Sequence, residues 1–303
     1  MTDLDVAPEV RSAIDAGRPV VALESTVIAH GLPWPENLTL ARRLEAVVRE
    51  HGAVAATIAV LGGRMRVGLD DAELEHLARS PQVRKLTVRD IPVAIAEGAD
   101  GATTVSATMR IAHAGGIRVF ATGGIGGVHR GDHTDVSADL PELARTPMVV
   151  VCAGAKAILD LPATLEWLET NGVIVIGWGT SEFPAFFTRT SGLPLETRAD
   201  SEGEVAAVAR AAWRNGMESA VLVTVPAPEA FALPAERMEA AITRALARAE
   251  AERVRGKATT PFLLRHVAEY TGGESVAANL ALLERNASVA ARVAVVLAGD
   301  RPG

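Results

Sequence analysis

Short valine-rich runs alternate with helical stretches along most of this chain, and that alternation limits the fold more than any other feature. Residues 19–24 (PVVALE), 55–61, 83–88, 117–121, 148–152, 173–176 and 220–225 are short apolar runs that read as buried strands. Between them, residues 35–50 carry Leu38, Ala41, Leu44 and Val48 at helical spacing, and helices are expected over 70–79, 104–114, 164–170 and 202–214. Gly62 and Gly63 mark a turn between residues 55–61 and a further strand over 64–69. From Pro234 onward the pattern is mostly helical, over 234–253, 260–270 and 274–297. Strands joined by helical crossovers imply a largely parallel sheet covered by helices on both faces. The expectation is an α/β fold, three-layer α/β/α, with a helical C-terminal segment and one domain over residues 1–303.

Composition removes several function classes. The formal charge is −7 and aromatic residues make up 4%, with Tyr270 the single tyrosine. Such a chain has little attraction for a phosphate backbone and few rings to stack on bases, so no nucleic-acid partner is expected. One cysteine, Cys152, excludes an internal disulfide and a multi-cysteine zinc site. No run of 18 apolar residues predicts a membrane span, and the apolar stretch 286–298, broken by Arg292, reads as a packed helix. The acidic start MTDLD lacks a signal-peptide pattern, which makes the cytoplasm the expected compartment. The basic residues are 27 arginines and only three lysines: Lys85, Lys156 and Lys257. Arginine stays protonated and cannot serve as an amine nucleophile, so the surviving lysines are candidates for chemistry.

In open α/β sheets ligands collect outside the carboxyl ends of the strands. Three such ends carry polar or glycine-rich residues. Glu24 leaves a buried strand, where it is either salt-bridged or exposed at the strand's end, or else a general acid with an environment-raised pKa. Thr122-Gly123-Gly124-Ile125-Gly126-Gly127-Val128-His129-Arg130 is neither a dinucleotide fingerprint nor a P-loop; it reads as an anion cradle or a tight structural loop. Just after it, His129, His133 and Asp135 fall within seven residues and could contribute to a divalent-cation site, or could be solvated loop residues. Lys156 follows the run 149–152 among glycine and alanine, where desolvation favours the neutral amine a Schiff-base nucleophile needs. Lys85 suits a phosphate or carboxylate contact, Lys257 is open to either role, and Cys152 reads as a buried small hydrophobe.

The stretches ALESTVIAHGLPWPEN (22–37), KLTVRD (85–90), GATTVSATM (101–109), FATGGIGGVHRG (120–131), DVSADL (135–140), VCAGAKAILD (151–160) and EFPAFF (182–187) resemble the pseudouridine-5'-phosphate glycosidase, or indigoidine-synthase-A-like, family. GKATTPFLL (256–264) and ESVAANLALLERNA (274–287) extend the likeness over nearly the whole chain; Ser181 departs from it, standing where the family often has aspartate. The resemblance implies reversible cleavage of the C–C glycosidic bond of pseudouridine 5'-phosphate to uracil and ribose 5-phosphate. It also implies help from a divalent cation, usually Mn2+, and a homotrimer. Position by position it makes Glu24 the proton donor, Lys156 the nucleophile that forms the covalent adduct, and Asp135 the metal ligand. Lys85, Val105, Ser137, Ala138 and Asp139 match substrate contacts; Thr122, His129 and Asn279 fall in matched motifs and are further candidates. The alternatives are another Schiff-base lyase or aldolase on a sugar phosphate, and a non-catalytic nucleotide-binding protein.

Overall fold

The computed structural model describes residues 3–131 and 133–299; the side chain of Lys257 lies outside the described residues. Seven strands run parallel in the order Val54–Leu61, Val20–Leu23, Val119–Ala121, Val149–Cys152, Val221–Thr224, Ile174–Trp178 and Thr197–Ala199. The three central ones, Val119–Ala121, Val149–Cys152 and Val221–Thr224, are buried throughout, which explains their unbroken apolar sequence. Beyond Val54–Leu61 the sheet turns antiparallel. Arg64–Val67 folds back across the Gly62-Gly63 turn, and Leu4–Val6 adds a parallel edge strand to it. Gly101–Thr103 pairs antiparallel with the far half of Val54–Leu61, and Arg84–Leu86 joins it in parallel. Leu4–Val6, Gly101–Thr103 and Thr197–Ala199 escape the sequence reading because three residues are too few to show a period.

Helix Asp71–Arg79 begins with a capping box, Asp70 accepting from the Glu73 amide and Glu73 from that of Asp70. Ser201 and Glu204 do the same for Glu202–Arg214. The last helix, Glu274–Gly299, packs on strands Val20–Leu23, Val119–Ala121 and Val149–Cys152 and lies against helices Glu36–Glu50 and Glu202–Arg214. Its buried face includes Ala278, Ala287, Ala290, Ala291 and Ala294, residues small enough to let a helix lie close to the sheet. Helix Val105–Ala114 packs on strands Val54–Leu61, Arg64–Val67 and Val20–Leu23. The arrangement is the three-layer α/β/α sandwich expected. No described helix is long and apolar enough to cross a membrane.

Candidate active site

Glu24 is the first residue beyond strand Val20–Leu23, and the backbone around it is fixed by buried hydroxyls. Ser25 Oγ donates to the Ile58 carbonyl at 2.6 Å, Thr103 Oγ1 donates to the same carbonyl at 2.8 Å, and the Thr103 amide donates to Ser25 Oγ at 2.9 Å. Thr108 Oγ1 closes the cluster by donating to Thr103 Oγ1. Thr122 Oγ1, at the end of the neighbouring strand, donates to Glu24 Oε1. Burial pushes the Glu24 carboxyl above its ordinary range; the charges of Lys156 and Lys85 and the Thr122 hydroxyl pull it down, while Asp139 adds to the rise.

The glycine loop and the lysine segment run side by side as prolongations of strands Val119–Ala121 and Val149–Cys152. The Thr122 amide donates to Val151 O, Ala153 to Gly123 O, Ile125 to Gly154 O and Lys156 to Ile125 O, at 2.9–3.1 Å. This ladder carries Lys156 alongside the loop, where its Nζ donates to Gly124 O at 2.6 Å. A Cβ on Gly124 would lie 2.5 Å from the Phe186 ring, so only glycine admits that contact. Phe186 itself is buried with a left-handed backbone, φ 63°, a strained conformation for a bulky residue. The loop therefore serves as a packed joint, and the anion it cradles is internal. Gly126 N donates to Asp139 Oδ2 at 2.8 Å, and the other carboxylate oxygen accepts the Ser106 amide at 2.9 Å. A Cβ on Gly126 would fall 2.1 Å from Ser137 Oγ and 2.9 Å from Asp139 Oδ2.

Asp139 thus ties the glycine loop to the first turn of helix Val105–Ala114. Val105 opens that helix with its side chain buried, so only its backbone can face a ligand. Lys85 lies opposite Ala102 in the adjoining strand pair, close enough for its charge to act on Glu24 and on His30. His30, in the motif ALESTVIAHG, is a neighbour that sequence reasoning left unassigned. Burial, then the charge of Lys85, pushes its imidazole below the usual range.

The three candidate metal residues do not converge. His129 Nδ1 is 3.9 Å from Asp135 Oδ2, whereas His133 Nε2 turns away to Asp160 Oδ2 at 3.1 Å. Among the described residues no three His, Cys, Asp or Glu side chains could hold one ion. Local pairing sets this: His129 N donates to Asp135 O and Ser137 N to Gly127 O, and Asp135 is exposed. What remains is one exposed carboxylate beside one imidazole, a donor set that suits a hard cation completed by water and ligand oxygens. Cys152 is buried and burial pushes its thiol up to about 12, so it is the inert hydrophobe expected.

Asn286 is a residue that no motif or spacing singles out. It is buried in helix Glu274–Gly299, and its Nδ2 donates to Thr122 O at 2.8 Å and Gly123 O at 3.3 Å. The C-terminal helix thereby holds the residue that holds Glu24. Asn279 lies seven residues earlier on the same helix, roughly 10 Å along its axis. Because the helix passes Thr122 and Gly123 at Asn286 and continues toward Val119 and Val20 at Ala294 and Leu297, Asn279 sits beyond the carboxyl ends of these strands.

Residues 9–296 match the family model described as indigoidine synthase A like protein. A protein from Chloroflexus aurantiacus named pseudouridine-5'-phosphate glycosidase is 59% identical over 298 residues, covering 96% of this chain and 98% of its own. One of the same name from Herpetosiphon aurantiacus is 57% identical over 299 residues, covering 98% and 99%. Two crystal structures superpose with a TM-score of 0.90, each covering 98% of this chain and 97% of its own. One is prealnumycin C-glycosynthase in complex with ribulose 5-phosphate, 41% identical; the other is an indigoidine synthase A-like protein from Thermotoga maritima, 38% identical. With a family model spanning nearly all of it and relatives above half identity along its length, the chain belongs to the indigoidine synthase A-like family.

Proposed function

We propose that this protein is an enzyme that reversibly cleaves the C–C glycosidic bond of pseudouridine 5'-phosphate, giving uracil and ribose 5-phosphate. The observation that carries the reading is the meeting of a carboxyl held above its ordinary range, Glu24, with the charge field of Lys156 at the ends of the two strands that flank Val119–Ala121. The names of the full-length relatives support the substrate, and the ribulose 5-phosphate in the C-glycosynthase complex supports a pentose phosphate in this fold.

The leaving atom of uracil is carbon, so the oxocarbenium route of ordinary glycosides offers a poor leaving group. An amine route avoids this. Lys156 Nζ, as the free amine, bonds to C1' of the ribose while the bond from C1' to the ring oxygen breaks. Glu24 gives its proton to that oxygen, opening the sugar. The Glu24 carboxylate then takes the proton that the bonded nitrogen must lose and passes it to the uracil carbon, and the nitrogen lone pair so freed expels uracil, leaving an imine that water hydrolyses to ribose 5-phosphate and free lysine. Lys85 and the Val105 amide, at a helix start, hold the phosphate. Asp139 keeps the glycine loop against that helix and favours the protonated form of Glu24.

Asp135, with the His129 ring near it, would hold a divalent cation such as Mn2+, which supplies charge neutralisation and orientation to substrate oxygens when bound. Incubation of the protein and Mn2+ with pseudouridine 5'-phosphate should release uracil, separated by chromatography, in step with ribose 5-phosphate. Release of ribose 5-phosphate from other sugar phosphates but no uracil from this one would instead favour a different Schiff-base lyase.

A further inference from the structure

The opposite end of the same two strands carries a second, unassigned cavity of about 440 Å³. Val20 and Val119 open the strands whose carboxyl ends carry Glu24 and Thr122, and both line it. Its walls are apolar: Ile14, Ile117, Leu297 and the Trp213 ring. Four arginines, Arg18, Arg118, Arg210 and Arg214, are among its lining residues, and none of its described lining residues is acidic. That is a strong local excess in a chain of net charge −7.

Two of the arginines are oriented by the fold. Arg118 lies over the Trp213 ring at 5.0 Å and donates to Pro147 O at 3.0 Å, and Arg210 donates to Val296 O at 2.8 Å at the end of helix Glu274–Gly299. Arg18 and Arg214 are exposed at the rim. The volume, the apolar walls and the arginines beside them fit a small organic anion.

We propose that this cavity is a second binding site for a small organic anion, an apolar or aromatic body bearing a carboxylate or phosphate group that the arginines receive. It is separate from the Glu24–Lys156 site by the length of a four-residue strand, roughly 13 Å, and does not depend on the proposed reaction.

Anilinonaphthalene sulfonate, whose emission rises in apolar surroundings and whose sulfonate mimics the anion, is the probe. Saturable binding to the folded protein is expected, about tenfold weaker in each of Arg18→Glu and Arg214→Glu, the size of one lost charge-assisted hydrogen bond. Circular dichroism and retained uracil release report that the variants fold. Excess ribose 5-phosphate should leave the probe in place. Benzoate and phenyl phosphate should displace it, and the tighter competitor names the anion. No saturable binding, equal affinity in all variants, displacement by ribose 5-phosphate, or displacement by neither aromatic anion would each overturn the proposal.

Discussion

Replacing Asn286 by Asp keeps the shape of the side chain and its Oδ1 but removes the donor that the glycine loop uses. Gly123 O retains the Ala153 amide at 2.9 Å, so its loss is partial. Thr122 O loses the 2.8 Å bond from Asn286. Leaving one such buried group unsatisfied costs about 1–3 kcal/mol, and burying a carboxyl against two carbonyl oxygens adds to it. A destabilisation of roughly 2–4 kcal/mol follows, a fall in Tm of roughly 3–6 °C for a chain of this size. The new carboxyl is favoured in its neutral form, so its folded pKa lies above the ordinary value of about 3.9. The variant should therefore approach wild-type stability at acid pH and lose it as pH rises through the folded pKa. Asn286→Leu, which also removes the unpartnered Oδ1, should lose less stability and show no such pH dependence. A second readout is activity. Freed from Asn286, Thr122 no longer holds Glu24 firmly; its hydroxyl pulls the Glu24 pKa down, so the alkaline limb of the uracil-release profile should move to higher pH. Urea unfolding across pH, beside the pH–rate profile, decides it. An Asn286→Asp protein that melts within a degree of wild type and keeps the same alkaline limb would refute the coupling.

Lys156→Arg should be as inactive as Lys156→Ala, because a guanidinium cannot supply a lone pair; borohydride added with ribose 5-phosphate should fix an adduct that mass spectrometry maps to Lys156. Normal turnover by the arginine variant would end the covalent mechanism, and an adduct on Lys85 or Lys257 would reassign it. Lys85→Arg should act mainly on KM by misplacing a charge. Glu24→Gln should lower the rate by about 10²–10⁴-fold. Because burial raises the Glu24 pKa, wild type loses stability as pH rises from the unfolded toward the folded pKa, so the glutamine variant should be the more stable of the two above that window; equal denaturation midpoints there would contradict the burial argument. Chelation should abolish turnover that Mn2+ restores, and Asp135→Ala should lose the response to added metal; full activity of stripped wild type would remove the cation from the reaction.

The parts of this protein that depend on local pattern were legible in the chain itself. Buried parallel strands must be apolar on both faces, so Val149–Cys152 and Val221–Thr224 announce themselves as valine runs, and helix Glu202–Arg214 matches its periodic stretch end to end. The scarcity of lysine directed attention to Lys85, Lys156 and Lys257 before any contact was known, since an amine that arginine cannot replace resists such a bias. Tertiary structure decided everything that depends on residues far apart in sequence. Whether Glu24 is an acid or a salt-bridge partner depends on burial and on Thr122, 98 positions away, and the Asn286 amide that steadies Thr122 comes from a further 164 positions along the chain. The glycine loop and the His129–His133–Asp135 cluster carried the same ambiguity. Spacing shows that glycines permit close approach and that donors are near in sequence, but only the fold shows that the approaching group is Asp139 and that His133 turns to Asp160. Local propensity is written residue by residue, whereas a pKa, a cradle and a ligand set are made by whichever distant groups the packed sheet brings within a few ångströms.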